Sequence, residues 1–192
     1  MSTRTIPLLL TAMLAGCGAP QPVITAEDIT AKSLPVADKF QTQLQSQLGA
    51  ALKTGGPASA IEVCHQAAPA IAAALGEETG ASIRRVSLRN RNPANVPNAR
   101  ERAILEQFET GPIDAAGKPR VKTWQDGNSV YFMRAIPMQD QPCAVCHGTN
   151  ISPDIQARLA ALYPDDKATG FKEGDTRGAL SITWPATAFT GK

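Results

Sequence analysis

Two cysteines and a histidine stand in the run Cys143-Ala144-Val145-Cys146-His147. Thiols at this spacing can add to the two vinyl groups of a haem, and a histidine directly after the second thiol can reach the iron as an axial ligand. The run therefore points to one covalently bound haem c. Competing chemistries use the same atoms less completely. A thioredoxin-like dithiol needs no following histidine and belongs at a strand-to-helix junction, which the flanking Pro142 and Gly148 do not suggest. A zinc site would draw on Cys143, Cys146, Cys64 and a histidine. The four cysteines also allow two disulfides by parity alone.

An iron held by His147 has a second axial position, for which Cys64, His65, Met133 and Met138 are the candidates. Cys64 follows Ile61 and precedes Ala68, Ile71 and Leu75 at helical spacings, so it falls on an apolar stripe. A thiolate buried there is costly unless a metal takes it. His65 is turned about 100° from that stripe. Both methionines fall on or beside a strand, where filling the core is the ordinary role. Cys64 leads, and the other three stay open.

The elements that position these groups read as helices followed by strands. Val36, Phe40, Leu44, Leu48 and Leu52 recur every four residues, predicting a helix that stops at Gly55-Gly56-Pro57. The stripe bearing Cys64 predicts a second helix, with a kink or restart at Pro69, which cannot donate to the carbonyl of residue 65. Ser82–Leu88 reads as a strand. Asn98 caps a short helix reaching Glu109. Val121–Trp124 and Ser129–Pro137 form a hairpin around Asp126-Gly127-Asn128. Ser152-Pro153-Asp154 opens another helix, and Gly178–Trp184 is the last strand. The order predicts an α+β layer arrangement.

The amino terminus reads as a targeting segment. Arg4 precedes an apolar stretch from Ile6 to Ala15, far below the ~20 residues that span a bilayer. It ends in Leu14-Ala15-Gly16-Cys17, which resembles a bacterial lipobox. Residues 1–16 are thus expected to be a lipoprotein signal peptide and Cys17 the lipidated first residue, holding the protein at a membrane surface on the periplasmic side. Gly18 resembles an outer-membrane sorting signal. Residues 17–34, with three prolines among residues 19–35, read as a tether, and 35–192 as the folded haem domain.

With 192 residues, 43% hydrophobic, 19% charged and a net charge of +2, the chain is neither wholly disordered nor a general nucleic-acid binder. Arg84, Arg85, Arg89, Arg91, Arg100 and Arg102 concentrate positive charge, suited to haem propionates or a docking partner. No Ser/His/Asp set, carboxylate pair or phosphate loop is evident, so no enzymatic activity is expected.

Four segments carry a resemblance: Ile61-Glu62-Val63-Cys64 with Ala68-Pro69-Ala70-Ile71-Ala72, then Arg91-Asn92-Pro93-Ala94-Asn95, Pro142 through Gly148, and Gly174-Asp175-Thr176-Arg177-Gly178-Ala179. In this order, from about Leu34 to Pro185, they resemble the c-type haem domain family of PAS-like fold. That family, of unknown function, includes single-domain exported cytochromes and sensor portions of membrane signalling proteins. The resemblance implies a PAS-like antiparallel sheet with flanking helices, haem attached through Cys143 and Cys146, and iron ligation by His147 and Cys64. It also singles out Arg91 among the arginines as a cofactor-binding residue.

A thiolate ligand stabilises ferric iron, so such a haem would have a low potential, and with both axial positions filled it offers no open site for substrate. The expectation is a lipid-anchored periplasmic electron carrier with a redox partner. Two alternatives stand beside it: a haem-based redox or gas sensor acting through a signalling partner, and a structural or zinc-binding lipoprotein without haem.

Overall fold

A computed structural model describes residues 23–190. The signal segment and Cys17 lie outside the described residues. Helix α1 spans Ala26–Glu62. Its start corrects the tether expected over residues 17–34: the folded part already includes Ala26. A capping box begins it, with the Thr25 hydroxyl accepting from the Asp28 N–H at 3.1 Å and the Asp28 carboxylate accepting from the Thr25 N–H at 3.0 Å. Ile29 and Ser33 are then buried on the same stripe as Val36, Ala37 and Phe40. Pro35 sits within this helix, lacking the N–H that would have reached the carbonyl of Ala31, and the packing of its neighbours outweighs that loss.

The expected stop at Gly55-Gly56-Pro57 is a kink. Gly56 takes φ 65°, ψ −165°, a conformation a side chain would strain, and the helix resumes at Pro57. A π-helical turn, Val63–Ala67, follows, closed by the Ala68 N–H on the Val63 carbonyl. Helix α2, Ala68–Thr79, restarts with Pro69 in its first turn and ends on left-handed Gly80. The restart expected at Pro69 is thus realised as a π turn that swallows one extra residue.

Strands β1 (Ser82–Val86), β2 (Val121–Asp126), β3 (Ser129–Pro137) and β4 (Thr176–Pro185) form one antiparallel sheet in the order β1-β4-β3-β2. Between β1 and β2 lies helix α3, Ala99–Glu109, opened by the expected Asn98 cap. The four-residue helix α4, Ala144–His147, and helix α5, Pro153–Leu162, separate β3 from β4.

Side chains alternate across the two central strands. Val130, Phe132, Leu180, Ile182 and Trp184 face α1 and α2, joining Ile29, Phe40, Ile71 and Leu75. Met133, Ala135 and Ala179 face the other way, onto Ile104, Leu105 and Phe108 of α3. The Trp184 indole N–H donates to the buried Ser33 hydroxyl at 2.9 Å, tying the last strand to the start of α1. The molecule is therefore α+β, an open antiparallel sheet with helices on both faces, as the sequence implied.

Candidate functional site

The Cys143–His147 segment is shaped by its own backbone. Both His147 N–H and Cys146 N–H donate to the Cys143 carbonyl, at 3.0 and 3.3 Å, and Gly148 N–H donates to Ala144 at 2.9 Å. A Cβ on Gly148 would lie 2.6 Å from the Ala144 carbonyl oxygen, so only glycine lets the chain leave this turn. Residues 170 and 171 bond back to the carbonyls of Gly148 and His147. Cys143 and Cys146 carry free thiols. Burial pushes the Cys146 thiol pKa up, opposed by the charge of Arg91.

His147 is half-buried. Its Nδ1 lies 2.7 Å from the Ala168 carbonyl oxygen and 3.2 Å from Arg177 Nε. A nitrogen that donates to a carbonyl cannot also accept from a guanidinium, and the shorter contact places the proton on Nδ1, donating to Ala168. The lone pair is then on Nε2. Burial, followed by the charges of Arg177 and Arg91, lowers its pKa well below the usual histidine range, so the ring is neutral and able to ligate.

The π turn holds Cys64 and His65 and sends them different ways. Cys64 lines a cavity of about 370 Å³ together with Cys143, Cys146 and His147. His65 is not among its lining residues. Its Nδ1 lies 3.1 Å from the Tyr163 hydroxyl, the two rings meeting edge to face. Met138 lines the cavity, whereas Met133 is packed against α3 on the opposite face of the sheet. Of the four residues weighed for a second ligand position, the fold brings Cys64 and Met138 to the cavity that His147 faces.

The cavity lies between α1 and the sheet. Phe40, Leu44, Leu48 and Leu52 form one wall, and Leu180 with Ile136 another. The leucine stripe that the sequence marks on α1 thus faces space as well as core. Among the described residues no group of three or more His, Cys, Asp or Glu side chains is placed to hold a metal ion, which leaves the four-ligand zinc arrangement without support.

Arg91 is buried and is held through its Nε and Nη2. Its Nε donates to Asp166 at 2.9 Å, and its Nη2 donates to the carbonyls of Cys146 at 2.6 Å and Ala168 at 3.2 Å. It ties the segment bearing both thiols to the segment that holds His147 Nδ1. Arg134 is likewise used, on Asp38 and on Ala37 and Gln41 of α1.

The sequence profile of the family described as Tll0287-like matches residues 21–185. The chain belongs to the Tll0287-like family. Among solved structures, the crystal structure of the cyanobacterial haem protein Tll0287 is similar, with a TM-score of 0.62, 24% sequence identity, and coverage of 84% of this chain and 96% of that one. No curated protein matches the chain.

Seen as a Tll0287-like domain, the chain also places residues at the site that its sequence left without a role. Arg177 is buried beside His147, and Tyr163 faces Cys64 and His65. Burial, then the nearby Cys64, raises the Tyr163 pKa to about 12, so its hydroxyl keeps its proton. Arg177 stands in the Gly174–Ala179 segment, the one signal that marked it. Tyr163 had none: a lone tyrosine at a helix end carries no pattern.

Proposed function

We propose that this protein is an exported, lipid-anchored haem c protein that exchanges single electrons with a partner. Haem would be held by thioether bonds from Cys143 and Cys146 and by His147 and Cys64 as axial ligands. The observation that carries this reading is the convergence of both free thiols, His147 and Cys64 on one largely apolar cavity of about 370 Å³. Membership of the Tll0287-like family supports it, since the structurally similar Tll0287 is a haem protein. A bound haem would supply one-electron exchange at iron.

The residues fit such a group. The apolar wall of Phe40, Leu44, Leu48 and Leu52 excludes water from a macrocycle's face. The Ala168 carbonyl fixes the His147 tautomer and aims its Nε2, the ordinary supporting contact of a metal-bound histidine. Cys64, as thiolate, would lower the potential and fill the second axial position, which leaves no place for substrate. We infer no enzymatic activity. Cys17 would carry the lipid, restricting the domain to the periplasmic face of a membrane.

A sensor reading has one observation in its favour. Cys64 is borne by a π turn, a feature that marks functional sites and can be drawn back into an α-helix by a one-residue shift. Reduction with and without carbon monoxide separates the two functions. A carrier keeps its low-spin spectrum on reduction and binds no gas; a sensor changes ligation and binds it.

A further inference from the structure

Beside the large cavity lies a smaller one of about 30 Å³, lined by polar groups: Ser87, Asn90, Asn92, Asn95, Tyr163 and three arginines. The two cavities share Cys64, Arg85, Arg91, Ile136, His147 and Arg177. Cys143 and Cys146 line the large one alone. The combined space is therefore apolar at the end carrying the thiols and polar at the other, with both candidate axial ligands where the two meet.

Of the three arginines, Arg91 is neutralised by Asp166. The other two are not. The Arg85 side chain makes no hydrogen bond or ion pair to any described residue. Arg177, buried, reaches Ser87 Oγ at 3.3 Å and the Arg89 carbonyl at 3.4 Å, with its Nε beside a His147 nitrogen that already donates elsewhere, and no carboxylate lies within ion-pair distance. Burial, together with the neighbouring Arg85 and Arg91, lowers its pKa to about 9. A buried cation without a counter-anion is costly, and Arg177 is one; Arg85, half-buried beside it, is a second guanidinium without a partner.

We propose that Arg85 and Arg177 are the carboxylate-binding residues of this site and that their partners are the two haem propionates, with Arg91 serving to position the thiol-bearing loop. The assignment rests on the haem reading above. Its logic is amphipathic fit and charge. A haem carries its vinyl edge and its propionate edge on opposite sides of the ring, matching thiols at one end of the space and uncompensated arginines at the other. Ferric porphyrin (+1) and a thiolate (−1) cancel, so the two propionates are the charge left over, and Arg85 with Arg177 supply two positive charges. Guanidinium–carboxylate pairing is the strong form of this contact.

The test uses holo-protein made with the c-type maturation machinery, in wild type and in Arg85→Gln, Arg177→Lys and Arg84→Gln forms. Arg84 lies on the same strand but bonds to Val96 and faces Glu101, and serves as control. Resonance Raman of the propionate bending modes should shift in Arg85→Gln and Arg177→Lys and stay at the wild-type position in Arg84→Gln. The reduction potential should fall in Arg85→Gln, because loss of a nearby positive charge favours the ferric form. Haem-loaded Arg85→Gln and Arg177→Lys with unshifted propionate modes would overturn the assignment while leaving the haem reading intact. If Arg177→Lys does not fold, Arg85→Gln alone decides, by the same modes and the potential. Wild-type protein without haem would overturn both.

Discussion

The guanidinium of Arg91 spans from the Asp166 carboxylate, 2.9 Å from its Nε, to the carbonyl oxygen of Cys146, 2.6 Å from its Nη2. Residues far apart in sequence thereby lock the cysteine–histidine turn against the loop whose Ala168 carbonyl holds His147. Arg91 thus acts on the protein's own backbone, not on an open surface.

Breaking this pair should be expensive. Arg91→Ala leaves Asp166 buried without its cation and the Cys146 carbonyl without a donor, a loss of about 3–5 kcal/mol. Chemical denaturation should show this midpoint shift, and haem incorporation should fall with it. Asp166→Asn, which keeps the shape and removes the charge, should lie between wild type and Arg91→Ala. A denaturation midpoint unchanged in Arg91→Ala would mean that the clamp contributes nothing.

The two neighbours in the π turn should behave differently. Cys64→Ala is expected to abolish the wild-type low-spin spectrum of the loaded protein, whereas His65→Ala should keep it. Retention of that spectrum by Cys64→Ala would exclude Cys64 as ligand. His65 instead contributes its contact with Tyr163, so Tyr163→Phe should cost about 0.5–1.5 kcal/mol in stability with the spectrum unaltered.

The early start of α1 makes a prediction about truncation. A form beginning at residue 23 keeps every described element, whereas one beginning at residue 35 lacks the buried Ile29 and Ser33, together with the Trp184 hydrogen bond, and should unfold at a lower temperature. Thr25→Ala alone should cost about 1 kcal/mol through the lost cap, and Ile29→Ala about 2–5 kcal/mol through the cavity it leaves. Thermal unfolding of the two truncations side by side checks the boundary; equal midpoints would restore the tether to residue 34.

Close backbone contact at the edge of the site sets another. Gly178 has φ 150°, and a Cβ there would lie 2.4 Å from the Val86 carbonyl oxygen. Gly178→Ala must push β4 away from the end of β1, next to Arg177. A destabilisation of about 1–3 kcal/mol is expected, measurable by urea denaturation, and a neutral substitution would show that the strands can separate freely.

Local signals told the most. The Asn98 cap, the hairpin around Gly127 and the limits of β3 follow from short-range turn and capping chemistry, and each stands where the sequence put it. The start of α1 did not, because Pro35 reads as a breaker although Thr25 and Asp28 had the spacing of a capping box. The π turn was hidden for a different reason: Pro69 announces a disturbance, but whether the helix kinks or takes in an extra residue depends on packing against α1 and α5. At the site, the cysteines and His147 carry their chemistry in their spacing. Arg85 and Arg177 meet only because β1 pairs with β4, a contact between distant segments that no local pattern encodes.

The central claim is covalent haem on Cys143 and Cys146, and the pyridine haemochrome assay on protein produced with the maturation machinery tests it most directly. One haem per chain is expected, surviving acid–acetone extraction and lost from extracted protein in which both cysteines are replaced by serine. Colourless protein from cells that load other c-type cytochromes would contradict the account.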